Sequence, residues 1–284
     1  VEAAVSLAKS AGFREFDGKS AKPGDKIYSV NRGKGLALAV VGSDVSEGTN
    51  IVAAHIDSPR LDLKPNPLYE DISVALFKTH YYGGIKKYQW TTVPMAIHGV
   101  VYQADGERVD ISIGENDDEP CFCVSDLLIH LAGDQMGKKL SEGIEGENLN
   151  LLAGSVPHPD KDEKERVKPA VLELLNEKYG ITEEDFLSAE LEAVPAGGAR
   201  DIGLDRSLIG HDDRVCAYTG LRAILDADSP KKTAVLILAD KEEIGSTGNT
   251  GMKSKFYENF IYDIAEANGL DGRRVMSKSS CLSA

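Results

Sequence analysis

The sequence predicts an α/β fold: a mixed sheet flanked by helices, interrupted by a β-rich insertion. Three observations carry that prediction. Short runs of Val, Ile, Leu and Ala near both ends of the chain stop abruptly in polar clusters, as buried strands of an α/β sheet do. Apolar residues at helical spacing accompany them. Between about residues 86 and 202 the pattern changes to short alternating stretches bounded by Asp105-Gly106 and Gly114. The expected domains are therefore residues 1–85 with 203–284, and an insertion over 86–202.

Taken in order, residues 1–11 read as an amphipathic helix stopped at Gly12. Residues 26–31 and 35–41 form a hairpin through Asn31-Arg32-Gly33-Lys34. Asn50-Ile51-Val52-Ala53-Ala54 is a buried strand that runs into His55-Ile56-Asp57-Ser58-Pro59. Gly83-Gly84 and Gly197-Gly198 read as hinges into and out of the insertion. Inside it, residues 93–102 and 108–113 alternate as strands, and 160–179 is a charged helix with a thin stripe through Val167, Val171, Leu174 and Leu175. Thr182-Glu183-Glu184-Asp185 caps a further turn, and 187–194 is a strand. From Gly210 the α/β style resumes with a helix over 213–225, a buried strand over 233–239, a helix over 253–268 and a strand start at 273–276.

The chain has 284 residues, 42% hydrophobic and 27% charged, enough for two domains and a sizeable core. Lys plus Arg is 32 against 46 Asp plus Glu, a net charge of -14, the opposite of a nucleic-acid binder. No apolar run approaches the roughly 18 residues that span a bilayer, so no membrane partner is expected. The opening Val1-Glu2-Ala3-Ala4 lacks the basic and apolar regions of a signal peptide, and it lacks a Met, so residues are expected upstream. Four scattered cysteines, Cys121, Cys123, Cys216 and Cys281, do not make a disulfide scaffold, and Cys121-Phe122-Cys123 lacks the second pair of a zinc motif. A reducing cytoplasm is the expected setting.

Three polar clusters sit at the ends of predicted buried segments, where sites form in open α/β sheets. In His55-Ile56-Asp57 the imidazole can ligate a metal while the carboxylate fixes its tautomer; the plainer reading is a buried, hydrogen-bonded His. Gly210-His211-Asp212-Asp213-Arg214 leads into a helix, where paired carboxylates also serve as simple caps. Glu242-Glu243 follows a strand too apolar to be exposed; such a pair can divide ligation and general-base work, or merely face solvent. The segment 245–254 suggests a phosphate loop, but Met252 stands where a Walker motif needs Gly.

Together, Ala54-His55-Ile56-Asp57-Ser58-Pro59-Arg60-Leu61, His80-Tyr81-Tyr82-Gly83-Gly84 with Trp90, Asp212-Asp213-Arg214 and Asp240-Lys241-Glu242-Glu243-Ile244-Gly245-Ser246 resemble the aspartyl aminopeptidase family. These are co-catalytic dinuclear zinc peptidases related to vacuolar aminopeptidase I, and the resemblance runs from about residue 20 to the end. It implies an α/β zinc-peptidase domain interrupted by a β-rich dimerisation domain, and hydrolysis of N-terminal residues from peptides by a metal-activated water. Carried over, His55, Asp212 and Glu243 are metal ligands, with Asp212 bridging two zinc ions that cobalt or manganese can replace. Glu242 is the general base and Asp57 stands behind His55. His130, in Leu127-Leu128-Ile129-His130-Leu131, is either a satisfied core His or a residue reaching a neighbouring subunit's site. The partners implied are a peptide substrate and further copies of the chain, in dimer-based homo-oligomers.

The family usually has Asn where this chain has Asp213, which leaves open which of the two carboxylates bridges. It also needs a further Asp and His as ligands, expected beyond Ala284, so the chain reads as the front part of a longer protein. On that reading 281–284 ends at a strand or loop edge facing the site, about four clear strands lie outside the insertion, and helix 253–268 keeps uncovered apolar surface. The alternatives are a related co-catalytic hydrolase, such as a deblocking aminopeptidase or a deacylase, whose insertion would be an α/β lid, and a silent interaction protein on the same scaffold.

Overall fold

The computed structural model describes residues 1–159, 165–199, 201–204 and 211–283. The start of the helix expected over 160–179, and Gly210, lie outside the described residues. Helix α1 (Glu2–Ser10) and strands β1 (Arg14–Glu15), β2 (Lys26–Asn31), β3 (Gly35–Val40) and β4 (Thr49–His55) open the chain. Then come β5 (Arg60–Asp71), β6 (Val74–Tyr82), β7 (Met95–Tyr102), β8 (Arg108–Ile113), α2 (Gly133–Met136), β9 (Leu151–Gly154), α3 (Val167–Tyr179) and β10 (Glu190–Pro195). Helix α4 (Arg214–Leu225), β11 (Thr233–Ala239), α5 (Phe256–Glu266), α6 (Gly272–Ser277) and β12 (Ser280–Ser283) follow. The chain divides into two compact units, residues 1–58 with 201–284, and residues 59–200.

The first unit is built on a mixed six-stranded sheet in the order β1-β2-β3-β11-β4-β12. The β2–β3 hairpin turns through Arg32 and Gly33 at φ 53° and 72°, the left-handed pair that a right-twisted hairpin requires. Strand β11 is antiparallel to β3 and parallel to β4, and β12 is parallel to β4. Both faces of the centre are covered, which is why β3 and β11 are apolar without a break. Ala37, Ala39, Val235 and Ile237 meet Phe260, Ile261 and Ile264 of α5 on one face. Leu36, Leu38, Leu236 and Leu238 meet Ala4 and Ala8 of α1 and Leu221 and Ile224 of α4 on the other.

Three expectations for this unit are corrected. The sheet has six strands rather than about four, the short β1 and β12 adding to it at its edges. Helix α5 buries its stripe, with Phe260 at 3% and Ile264 at 1% exposure, so the uncovered apolar surface expected on it is absent. Residues 273–276 are helical, not extended, because the Asp271 carboxylate accepts the backbone N–H groups of Arg273 and Arg274 and starts α6. Asp271→Ala removes that cap and is expected to destabilise the protein by about 1 kcal/mol in urea unfolding, with no shift of the midpoint counting against the assignment.

The second unit is an antiparallel six-stranded sheet in the order β8-β7-β10-β5-β6-β9. Its core gathers Leu61, Phe77, Met95, Ile97, Ile111, Leu151 and Leu191, with Val167 and Val171 of α3 packed on it. Helix α3 starts where Glu70 accepts the N–H groups of Val167 and Lys168. Asp185 accepts both the N–H and the hydroxyl of Thr182, so the capping acid there follows the turn it closes. The sequence reading placed residues 59–85 with the outer segments. The structure places them here, because β5 pairs with β10 through Asp62 and Glu192, and β6 pairs along β5. Gly83-Gly84 accordingly lies inside this unit rather than at its entrance. Leu127, Leu128, Ile129, Leu131, Met136 and Leu140 are exposed in and around α2. Among the described residues no helix is long and apolar enough to cross a membrane.

Candidate metal centre

The parallel register of β4 and β11 sets His55 beside Ala239, so the two strands end side by side and the residues after them leave the same end of the sheet. Helix α4 packs on both strands and leads into the start of β11, which brings its N-terminus, with Asp212 and Asp213, back to that end. The segments reading His55-Ile56-Asp57, Asp212-Asp213 and Glu242-Glu243 therefore converge, and all of them belong to the first unit.

His55 is 7% exposed. Its Nε2 lies 3.0 Å from Oδ1 of Asp212 and 3.9 Å from Oε2 of Glu242. Its Nδ1 faces Asp57, at 3.1 Å from the backbone carbonyl and 3.4 Å from Oδ1. With Nδ1 turned to an acceptor, Nε2 is the nitrogen presented to the site. The Asp57 carboxylate does more than stand behind the imidazole. Its two oxygens accept the backbone N–H groups of Glu242 at 3.1 Å and Glu243 at 3.2 Å, so it also holds the loop after β11 against the end of β4. That loop turns tightly, with Lys241 and Gly245 in the left-handed region at φ 65° and 89° and the Ser246 N–H donating to the Lys241 carbonyl at 2.7 Å.

The two neighbouring aspartates are used differently. Asp213 is 5% exposed and accepts the His55 backbone N–H at 3.2 Å, whereas the Asp212 side chain is 89% exposed and meets the imidazole. The peptide bond between them is cis. Burial disfavours a charged His55 imidazole, yet Asp212, Asp57 and Glu242 together hold its pKa above the ordinary value. Burial pushes the Glu243 carboxyl up, with repulsion from Asp57, Asp212 and Glu242 adding to it and His55 acting against it.

One imidazole and several carboxylates at one strand end are donors of the kind that zinc takes. Among the described residues, no three His, Cys, Asp or Glu side chains are set out as a finished cage; His55 and Asp212 touch each other directly at 3.0 Å. The residues fit a divalent cation in kind, with Nε2 and the carboxylates being the atoms it would draw apart.

All five candidates around this point, His55, Asp57, Asp212, Glu242 and Glu243, are brought together. His130 is in the second unit and exposed, which removes the reading of a core histidine. The pattern gives no role to Cys216, whose thiol the neighbouring Asp213 and burial hold above its ordinary pKa, or to Asp240, which is 6% exposed and accepts the Thr250 hydroxyl at 2.7 Å. The Asp240 contact gives the rejected phosphate-loop segment its role, closing the turn after β11. Spacing along the chain carries no signal for either pairing.

A family model described as aminopeptidase I zinc metalloprotease (M18) matches residues 1–284. A probable M18 family aminopeptidase 1 of Clostridium acetobutylicum is 52% identical over 292 residues, which cover 98% of this chain and 63% of that protein. The crystal structure of an M18 aminopeptidase from Thermotoga maritima superposes with a TM-score of 0.92 at 48% identity, covering 99% of this chain and 63% of that one. The S. cerevisiae mApe1 dodecamer gives a TM-score of 0.73 at 18% identity, a likeness of fold alone, over 100% of this chain and 66% of that one. The chain thus spans less than two thirds of the length of the first two relatives.

Proposed function

The chain belongs to the aminopeptidase I zinc metalloprotease family, M18, and from that premise we propose that the full-length protein is a zinc aminopeptidase removing N-terminal residues from peptides. The observation that carries this reading is the meeting of His55, Asp57, Asp212, Glu242 and Glu243 at the paired ends of β4 and β11. The antiparallel sheet of the second unit, in place of an α/β lid, supports it over a related deacylase.

His55, Asp212 and Glu243 hold the metal, two ions per site in the full-length protein, with cobalt or manganese able to replace zinc. Asp212 would be the carboxylate shared between them, since its Oδ1 faces the imidazole while Asp213 is bonded to the His55 backbone. Bound zinc supplies a Lewis acid that polarises a peptide carbonyl and makes nearby water more acidic. Glu242 is the general base: its half-exposed carboxylate accepts the proton of the attacking water and returns it to the leaving amine. Asp57 orients both His55 and the Glu242-Glu243 turn. The second unit pairs copies of the chain in a dimer-based homo-oligomer, through the exposed apolar residues around α2, and its His130 serves a neighbouring subunit's site. The working compartment is the cytoplasm, in keeping with four free cysteines.

The test is metal analysis and hydrolysis of a panel of aminoacyl-nitroanilides by the full-length protein, sized in the same buffer by light scattering. Bound zinc, removal of free N-terminal residues abolished by a chelator, and a mass at a multiple of the dimer are expected. A preparation that holds no divalent metal and cleaves nothing on the panel sinks the proposal.

A further inference from the structure

The buried carboxylate that the proposed chemistry leaves out is Asp213. It adjoins Asp212 yet is 5% exposed, where the Asp212 side chain is 89% exposed. The backbone N–H of His55, the last residue of β4, donates to its Oδ2 at 3.2 Å. Asp213 is itself the N-cap of α4, and its backbone carbonyl accepts the Ala217 N–H at 3.0 Å. Aspartate is a short side chain, so this bond, made by a residue whose own backbone opens the helix, leaves little freedom in the separation of the strand end from the helix start. The same two pieces of backbone carry the His55 imidazole and the Asp212 carboxylate, which meet at 3.0 Å. A clasp at the backbone therefore governs the geometry of a contact made by different atoms.

We infer that Asp213 is a positioning residue of the metal centre, tying the His55 backbone to the first turn of α4 and so setting the imidazole of His55 against the carboxylate of Asp212. The inference rests on the metal-centre reading above. It assigns Asp213 no contact with metal or substrate. Asn at this position keeps one carbonyl oxygen for the His55 N–H and Ala keeps none, so the two replacements separate positioning from simple occupancy of the space.

The experiment uses full-length protein loaded with cobalt(II), whose visible absorption bands report ligand geometry independently of turnover. Asp213→Ala is expected to lower cobalt affinity by about 10- to 100-fold, the range for partners that orient metal ligands, and to shift the bands at saturating cobalt. Peptide kcat is expected to fall with little change in KM, and Asp213→Asn to restore both bands and affinity. A purely structural role would lower the melting temperature while leaving the bands of the saturated protein in place. That result, unchanged bands at saturation in Asp213→Ala, overturns the inference. Should Asp213→Ala fail to fold, Asp213→Leu, which fills the same space without an acceptor for the His55 N–H, decides the matter: shifted bands support the positioning role and unchanged bands end it. A parent protein that takes up no cobalt overturns the metal-centre reading together with this inference, whereas unchanged bands across a cobalt-loaded series overturn this inference alone.

Discussion

Glu242→Gln in the full-length protein is expected to keep its metal and lose about 100- to 10,000-fold in turnover, the usual effect of removing a general base. The amide retains the size and reach of the carboxylate but cannot accept a proton from water. Nothing that places the residue is lost, because the turn is held by its backbone: the N–H groups of Glu242 and Glu243 donate to Asp57, and Ser246 closes back on Lys241. The neighbouring Glu243→Ala is expected to differ in kind, releasing metal as well as activity. That contrast follows from their settings. The Glu242 side chain is 53% exposed and can meet a water and a substrate, while burial and the surrounding carboxylates push the Glu243 carboxyl up, a setting in which a cation at its oxygens relieves the repulsion. Metal content and kcat measured on both variants check the pair. Near-parental turnover in Glu242→Gln would reverse or remove the division of labour.

Gly99→Ala is expected to destabilise the second unit by about 3 kcal/mol or more, since overpacking that cannot relax costs this much. Gly99 sits in β7 between Ile111 of β8 and Leu191 of β10, at φ 141°, where side chains are strained regardless of space. A Cβ added there would fall on the carbonyl oxygen of Glu190. The strand cannot move aside, because withdrawal from β10 drives it into β8. Gly106 is the control. It turns the β7–β8 hairpin at φ 88° with nothing within 4 Å of an added Cβ, so Gly106→Ala is expected to cost only about 1 kcal/mol of backbone strain. Urea unfolding of the two variants separates them; equal midpoints would show that the sheet accommodates a side chain at Gly99.

The elements that could be read from the sequence are those whose own pattern decides them. Strand β11 was readable residue for residue, Thr233–Ala239, because an unbroken apolar run has few uses other than a strand covered on both faces. The α5 stripe was readable from the spacing of Tyr257, Phe260, Ile261 and Ile264. Helix α6 was misread as a strand because its cap, Asp271, outweighs a weak local pattern in a helix of six residues. Residues 60–82 were assigned to the wrong unit although Leu61, Ala75, Phe77 and Thr79 show clear alternation. Alternation reveals a strand, but the sheet it joins depends on pairing with β10, about 130 residues later in the chain.

By itself the sequence determined the α/β class, the three clusters that carry imidazole and carboxylates, and the strand ends at which two of them sit, the third opening a helix. These follow from local spacing and from the rule that sites form at the carboxyl ends of parallel strands. Only the tertiary structure shows what each of the neighbouring acids touches. Asp212 faces the imidazole and Asp213 bonds to the strand that bears it, through a hydrogen bond spanning 158 residues. Asp57 holds the Glu242-Glu243 turn across 185 and 186 residues. Adjacent residues of one type are equivalent in a one-dimensional pattern; what distinguishes them is which group approaches each from elsewhere in the chain, and that is settled by the packing of β4, α4 and β11.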